Sequence, residues 1–232
     1  AGLLELRGLQ SLRQVVKLLE VQGNKQLARI SGLGALEAVG TLILYANEKL
    51  RAFSPATAAR LRVVGGDFTF KFTGFIDFPQ FPSLELVGGG FRIENNLDLE
   101  SLTGVNNLTK VGSLKFDGNL KFDQVTGLMQ LRADPDSPDV DVSLTGGLYR
   151  DLSGLSPFFA SLTSAGSITV ENSKMEKLPY FPVLTSIDSL SLAFNEQIQN
   201  FEEQALAAQK EIQAKQQALR SALRVCDLAK EE

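Results

Sequence analysis

Leu108 to Leu131 reads LTKVGSLKFDGNLKFDQVTGLMQL, and the spacing of its apolar residues decides the architecture. Leu114 and Phe116 flank Lys115, an alternation of period two that marks a short strand with one buried face. Asn119 follows after a gap of two residues. An asparagine there can turn the chain and satisfy loose backbone groups with its side-chain amide. Phe122, Val125, Leu128 and Leu131 then recur at every third residue, which suits a turn-rich or short helical return path with its apolar side inward. One such unit cannot bury its own apolar face, whereas stacked units can, which is the logic of a solenoid.

The same spacing extends in both directions. Upstream, Leu19, Val21, Asn24, Leu27, Ile30 and Leu33 repeat it, followed by Leu42, Leu44, Asn47, Leu50 and Phe53. An insertion, Ser54 to Arg60, precedes a unit with Phe68 and Phe70 in the strand and Thr73 in the asparagine place. The next unit has Phe91, Ile93, Asn96, Leu99 and Leu102. Downstream of Leu131 comes an acidic insertion, then Val142 and Leu144 as a strand, with Gly147 in the asparagine place. Ile168 and Val170 form the next strand, followed by Asn172 or Ser173, and Leu190, Leu192 and Asn195 complete the series. The period is roughly 23–25 residues where nothing intervenes, within the leucine-rich range. A second signature agrees in register: Gly, an apolar residue, two variable residues and Leu, as in Gly32 to Leu36, Gly104 to Leu108 and Gly127 to Leu131. Proline-rich corners, FPQFPSL at Phe78 and LPYFPVL at Leu178, mark the same place. The first residues, Leu6 to Leu12, read as the tail of a unit, and an upstream piece missing or a trimmed first coil is the expectation. The glycine runs Gly65-Gly66 and Gly88 to Gly90 lack a following Lys-Ser/Thr and are expected to serve tight coil corners.

From Glu196 the composition changes to Gln, Glu, Lys and Ala, without Gly or Pro. Ile198, Phe201, Ala205, Ala208, Ile212, Lys215, Leu219, Ala222, Cys226 and Ala229 alternate spacings of three and four, a heptad seam. The expected organisation is therefore a solenoid over 1–195 and a long amphipathic C-terminal helix over 196–232. Two roles for that helix stay open: a cap with a solvated arm, or a coiled-coil seam that pairs with another chain.

Composition removes several chemistries. The 232 residues contain no histidine, which eliminates imidazole acid–base catalysis, the Ser-His-Asp and Cys-His arrangements and most zinc sites. A single cysteine, Cys226, allows no intrachain disulfide. The net charge of −4 provides no polyanion-binding signature, so nucleic acid is not an expected partner. No stretch is apolar for long enough to span a bilayer, so no direct span is expected, and peripheral association with a membrane complex stays open.

VGTLILYAN at Val39, VGSLKFDGN at Val111 and IDSLSLAFN at Ile187 resemble the leucine-rich repeat consensus, and LVGGGFRIENN at Leu86 resembles the receptor L-domain. The resemblance runs from about Leu6 to Asn195. It implies a right-handed parallel β-solenoid, with short strands on a flat or concave face. It also implies a place among receptor ectodomains or fungal cell-wall proteins. The cysteines flanking receptor L-domains are missing.

The asparagines Asn24, Asn47, Asn96, Asn119 and Asn195 could form a binding ladder, but turn residues bonded to backbone are the preferred reading. Outward strand positions fall at Glu20, Ile43, Thr69, Arg92, Lys115, Ser143, Thr169 and Ser191, a column that offers the best binding surface. It shows no aromatic cluster and no carboxylate pair. Together with Ile198, Phe201, Ile212 and Leu219 of the helix, its residues from Thr69 to Ser191 are the candidate partner-binding set. The acidic loop Asp134, Asp136, Asp139 and Asp141 lacks calcium-loop spacing, and no metal or cofactor is expected. Asn107-Leu108-Thr109 is a glycosylation sequon. The reading is a non-catalytic interaction or scaffold module, an accessory subunit whose partners are other protein subunits. Alternatives are an extracellular or cell-wall recognition domain and a polysaccharide-acting β-helix enzyme. The compartment is open, with cell surface or organelle lumen favoured over cytosol.

Overall fold

The computed structural model describes residues 2–54, 56–134 and 140–195. The C-terminal helix expected over 196–232, with Ile198, Phe201, Ile212 and Leu219, lies outside the described residues. The regular structure of the described residues is almost entirely strand. In order it runs β1 (Glu5–Leu6), β2 (Gln14–Gln22), β3 (Arg29–Ile30), β4 (Ala38–Asn47), β5 (Ala52–Phe53), β6 (Val63–Val64) and β7 (Phe68–Thr73). There follow β8 (Leu86–Glu94), β9 (Ser101–Leu102), β10 (Lys110–Asp117), β11 (Gln124–Val125), β12 (Asp141–Thr145), β13 (Ser164–Glu171) and β14 (Ser186–Ala193). One short helix, α1 (Ser156–Ser161), lies between β12 and β13.

Every long strand joins one sheet, in the order β14-β13-β12-β10-β8-β6-β4-β2, with β7 also between β4 and β8. All its pairings are parallel and follow chain order. That is the expected parallel β-solenoid: each circuit returns the chain one layer further along. Two narrow sheets, β1-β3-β5 and β9-β11, line the return path. Side-chain bonds between equivalent positions of adjacent coils span 23 residues, as at Asn96 and Asn119, which matches the sequence period.

Period-two alternation puts two columns inside. Leu19, Leu42, Phe68, Phe91, Leu114, Val142, Ile168 and Leu190 stand in register, as do Val21, Leu44, Phe70, Ile93, Phe116, Leu144, Val170 and Leu192; Leu42 to Ile168 of the first and Val21 to Val170 of the second are buried, while Leu190 on the last described strand is exposed. Phe68, Phe70, Phe91, Phe116 and Phe122 are fully buried, as the sequence implies, and Phe75, Phe78 and Phe81 join them from the return path. Rings touch continuously along the stack: Phe68–Phe91 are stacked at 5.2 Å, and Phe91–Phe116, Phe116–Phe122 and Phe122–Tyr149 meet edge-on at 5.2–6.2 Å. Each buried ring contributes about 1.5–3 kcal/mol of transfer free energy.

One expectation needs correction. Gly65-Gly66 lies in a bend between β6 and β7, but the run Gly88 to Gly90 does not sit at a corner. Gly88, Gly89 and Gly90 lie within β8, and Gly40 and Gly112 occupy the equivalent stretch of β4 and β10. There the strand register shifts, between Val111 and Ser113 of β10 for example. A Cβ on Gly112 would stand 2.6 Å from the Gly88 carbonyl oxygen and 2.9 Å from that of Gly89. These glycines therefore let successive backbones close up at a bulge.

Candidate functional site

The asparagine column sets the geometry of the sheet's outer face. Just before each rung, one residue takes the left-handed conformation: Gly23 (φ 68°), Ala46 (53°), Phe72 (52°), Asn95 (52°), Gly118 (64°), Gly146 (64°), Asn172 (50°) and Phe194 (58°). This ends the strand and turns the next side chain into the coil. Asn96 then donates its amide to the carbonyls of Phe70, one coil back, and Glu94, both at 3.1 Å. Its Oδ1 accepts the Thr73 N–H (2.9 Å) and hydroxyl (2.7 Å). Asn47, Asn119 and Asn195 repeat the link to the coil before, donating to Val21, Ile93 and Val170 respectively, each at 2.7 Å. Asn47, Asn96 and Asn119 are buried, so the column is internal and structural, not a binding ladder. Ser173, not Asn172, holds the place in the seventh coil and bonds Asn195 Oδ1.

The sixth coil solves the missing asparagine in a way the sequence did not announce. Tyr149 stands two residues after Gly147, and its hydroxyl lies 3.0 Å from the carbonyl oxygens of Phe116 and Thr145. These are the two acceptors an asparagine at 147 would serve, by the pattern of Asn96. Gly147 is required because a Cβ there would run into the Tyr149 ring, 2.7 Å from Cε2. Burial, and secondarily the Asp117 carboxylate, push the Tyr149 phenol well above its ordinary value.

On the outer face the structure brings the expected column together. Glu20, Ile43, Thr69, Arg92, Lys115, Ser143, Thr169 and Ser191 are paired in register across the sheet. Beside it runs a second column, Gln22, Tyr45, Lys71, Glu94, Asp117, Thr145, Glu171 and Ala193. The charges link the columns into one network. Glu94 is clamped between Lys71 (3.1 Å) and Lys115 (3.5 Å), and Lys115 also approaches Asp117 at 3.8 Å. Arg92 pairs with Asp67, whose other oxygen accepts the Gly90 N–H at 2.7 Å. Further along the sheet the face turns to hydroxyls: Thr145 bonds Asp117, Ser167 bonds Asp141 and Ser191 bonds Glu171.

The column itself carries no aromatic residue, but an aromatic pair stands beside it. Tyr45 and Phe72 meet edge-on at 5.8 Å, and Lys71 Nζ stands 5.5 Å from the Phe72 ring centre. Phe72 faces outward only because of its left-handed backbone, which strand alternation does not reveal. The two ends of the acidic insertion are tied down, Asp134 to Lys110 at 3.1 Å and Asp141 to Ser167 at 2.6 Å. Asp136 and Asp139 lie outside the described residues. Asn107 and Thr109 are exposed while Leu108 is buried, and the Asn107 amide donates to the Pro82 carbonyl at 2.7 Å. Among the described residues, no helix is long and apolar enough to cross a membrane. No family model, curated protein or solved structure matches this chain.

Proposed function

We propose that the chain is a non-catalytic protein-interaction or scaffold module, an accessory subunit that presents the outer face of its long sheet to another protein. The observation that carries this reading is the cross-coil network on that face. Glu94, Asp67 and Asp117 are engaged by Lys71, Lys115, Arg92 and Thr145. Carboxylates held this way are poor candidates for the free acid and base that hydrolysis of a glycosidic bond needs. A rigid surface with an aromatic pair beside alternating charges suits recognition, because its side chains are already ordered before a partner arrives. The resemblance to leucine-rich and L-domain repeats points the same way. Pull-down from the native source with wild-type chain and with a K115E/R92E variant tests the reading: partner capture by the wild type alone supports it, and identical capture by both removes this face from it.

A second reading, an extracellular or cell-wall recognition domain, is favoured by one observation, the exposure of Asn107 and Thr109 in the sequon. Mass spectrometry of the native protein decides it. Glycan on Asn107 places the module outside the cytosol, and an unmodified Asn107 in every molecule withdraws that support.

A further inference from the structure

We infer that copies of the chain stack head to tail, the last strand of one copy completing the first coil of the next. Among the described residues the long sheet has two unpaired edges, those of β2 and β14. The two ends are complementary halves of one coil. Residues 2–12 are a return path: Leu6 pairs with Ile30, and the Leu12 N–H donates to the Leu9 carbonyl as that of Leu36 does to Leu33. No described strand of the long sheet precedes them, so the place beside β2 is a strand-shaped gap. At the other end, β14 and Asn195 supply a strand and its rung, and the leucine period stops at Glu196.

The repeat fixes how the halves meet. Each rung asparagine donates to a strand carbonyl of the coil before, and its Oδ1 accepts the N–H of that coil's rung. Asn47 serves Val21 and Asn24 in this way, and Asn195 serves Val170 and Ser173. Asn24 donates only within its own coil, to Gln22, and its Oδ1 has no partner among the described residues. Seated beside β14 of another copy, Asn24 donates to that copy's Leu192 carbonyl and accepts its Asn195 N–H. The same register sets Leu19 beside Leu190, Val21 beside Leu192, and Leu9 over the corner residue Phe181. Leu190 is 58% exposed and Leu9 37%, whereas Ile168 and Leu33, their equivalents one coil inward, are 2% and 4% exposed. A stacked copy removes that apolar surface from water.

Charge agrees with this register. The one charged residue of β14 is Asp188, and β2 carries Lys17 and Glu20. Asp188 falls opposite Val16 and Lys17, where β2 bulges, and Glu20 falls opposite Ser191. Lys17 and Asp188 are exposed, and neither forms an ion pair among the described residues. The joint is heterologous, so every stack keeps the same two ends and has no closed size.

This joint lies at the ends of the sheet, so its failure and that of the sheet-face proposal are distinguishable. The test is sedimentation velocity on the full chain over a dilution series. The expected result is a ladder of stacks that lengthens with concentration. K17E and D188K each weaken association about tenfold, and the double variant K17E/D188K restores it. L9D and L190D each give a monomer with the thermal melt of the wild type. Mixing those two gives a dimer that grows no further, because one sound end of each remains. A monomer of the wild type at every concentration overturns the inference, whatever else covers the two edges. A closed wild-type dimer, stacks that survive L190D, or a mixture of L9D and L190D that stays monomeric overturns it as well.

Discussion

Tyr149 shows how much one side chain can hold in place. Its one hydroxyl proton is shared between two carbonyls whose counterparts at Asn96 each receive an amide hydrogen. Y149F should cost about 1–3 kcal/mol, the cost of leaving buried acceptors unsatisfied, as read by denaturant unfolding. The pH dependence has a definite sign. The folded state holds the phenol protonated, with its pKa raised above the ordinary 10.0. The stabilisation is therefore complete below pH 10.0 and is lost above it, as the unfolded chain ionises and the folded chain does not. Y149F should lack that alkaline component. Asp123 behaves in the opposite sense. The paired side-chain bonds from Arg150, 2.9 and 2.8 Å, hold its carboxyl below the usual range. Its contribution is present above the ordinary value of 3.8 and disappears as pH falls through the lowered one. Since Arg150 is largely exposed, R150Q should cost only about 1 kcal/mol at neutral pH, and its gap from wild type should close in acid. Sequence reading found Asn96 and Asn119 because they fall on the period. It missed Tyr149 because that residue lies two positions off it and reaches the rung by the length of its ring.

At the scale of the elements, the strands were legible wherever inward side chains alternate. Leu114 and Phe116 point inward because Lys115 between them must point out. What stayed hidden depends on backbone approach between coils. Gly88 to Gly90 read as corner residues in sequence, yet they lie inside β8, and Gly112 lies inside β10 against their carbonyls. G112A should force those backbones apart and cost about 1–3 kcal/mol, measured by chemical unfolding, with loss of order concentrated in β8 and β10 by hydrogen exchange. The left-handed column gives the opposite expectation. Ala46 holds a φ of 53°, a conformation that disfavours a Cβ by about 1–2 kcal/mol. Part of that is offset by the greater chain entropy of glycine, so A46G should stabilise by about 1 kcal/mol on the same unfolding curve. Helix α1 was also missed: its six residues, SPFFAS, are too short for a helical apolar period to emerge, and Pro157 near its start is the only local cue.

For the described solenoid, stacking explains how a chain with a single cysteine, and so no intrachain disulfide, can present one long ordered surface. Each coil buries its neighbour's apolar face, and the polar groups of the outer face bond from coil to coil. The proposed recognition would fall to what is left outward: Tyr45 and Phe72, the charges around Glu94, and the hydroxyls from Ser143 to Ser191. The column was legible in sequence, because outward positions follow directly from inward ones. The pairing of its charges was not, since it depends on which coil lies beside which. The most direct measurement is cross-linking mass spectrometry on the protein isolated from its source, combined with its native mass. Lys71 and Lys115 lie on the proposed binding face and carry reactive amines. The account predicts a mass larger than the chain and its own dimer, with cross-links from these two lysines to a different polypeptide. A mass explained by this chain alone, with no such cross-links, would contradict it.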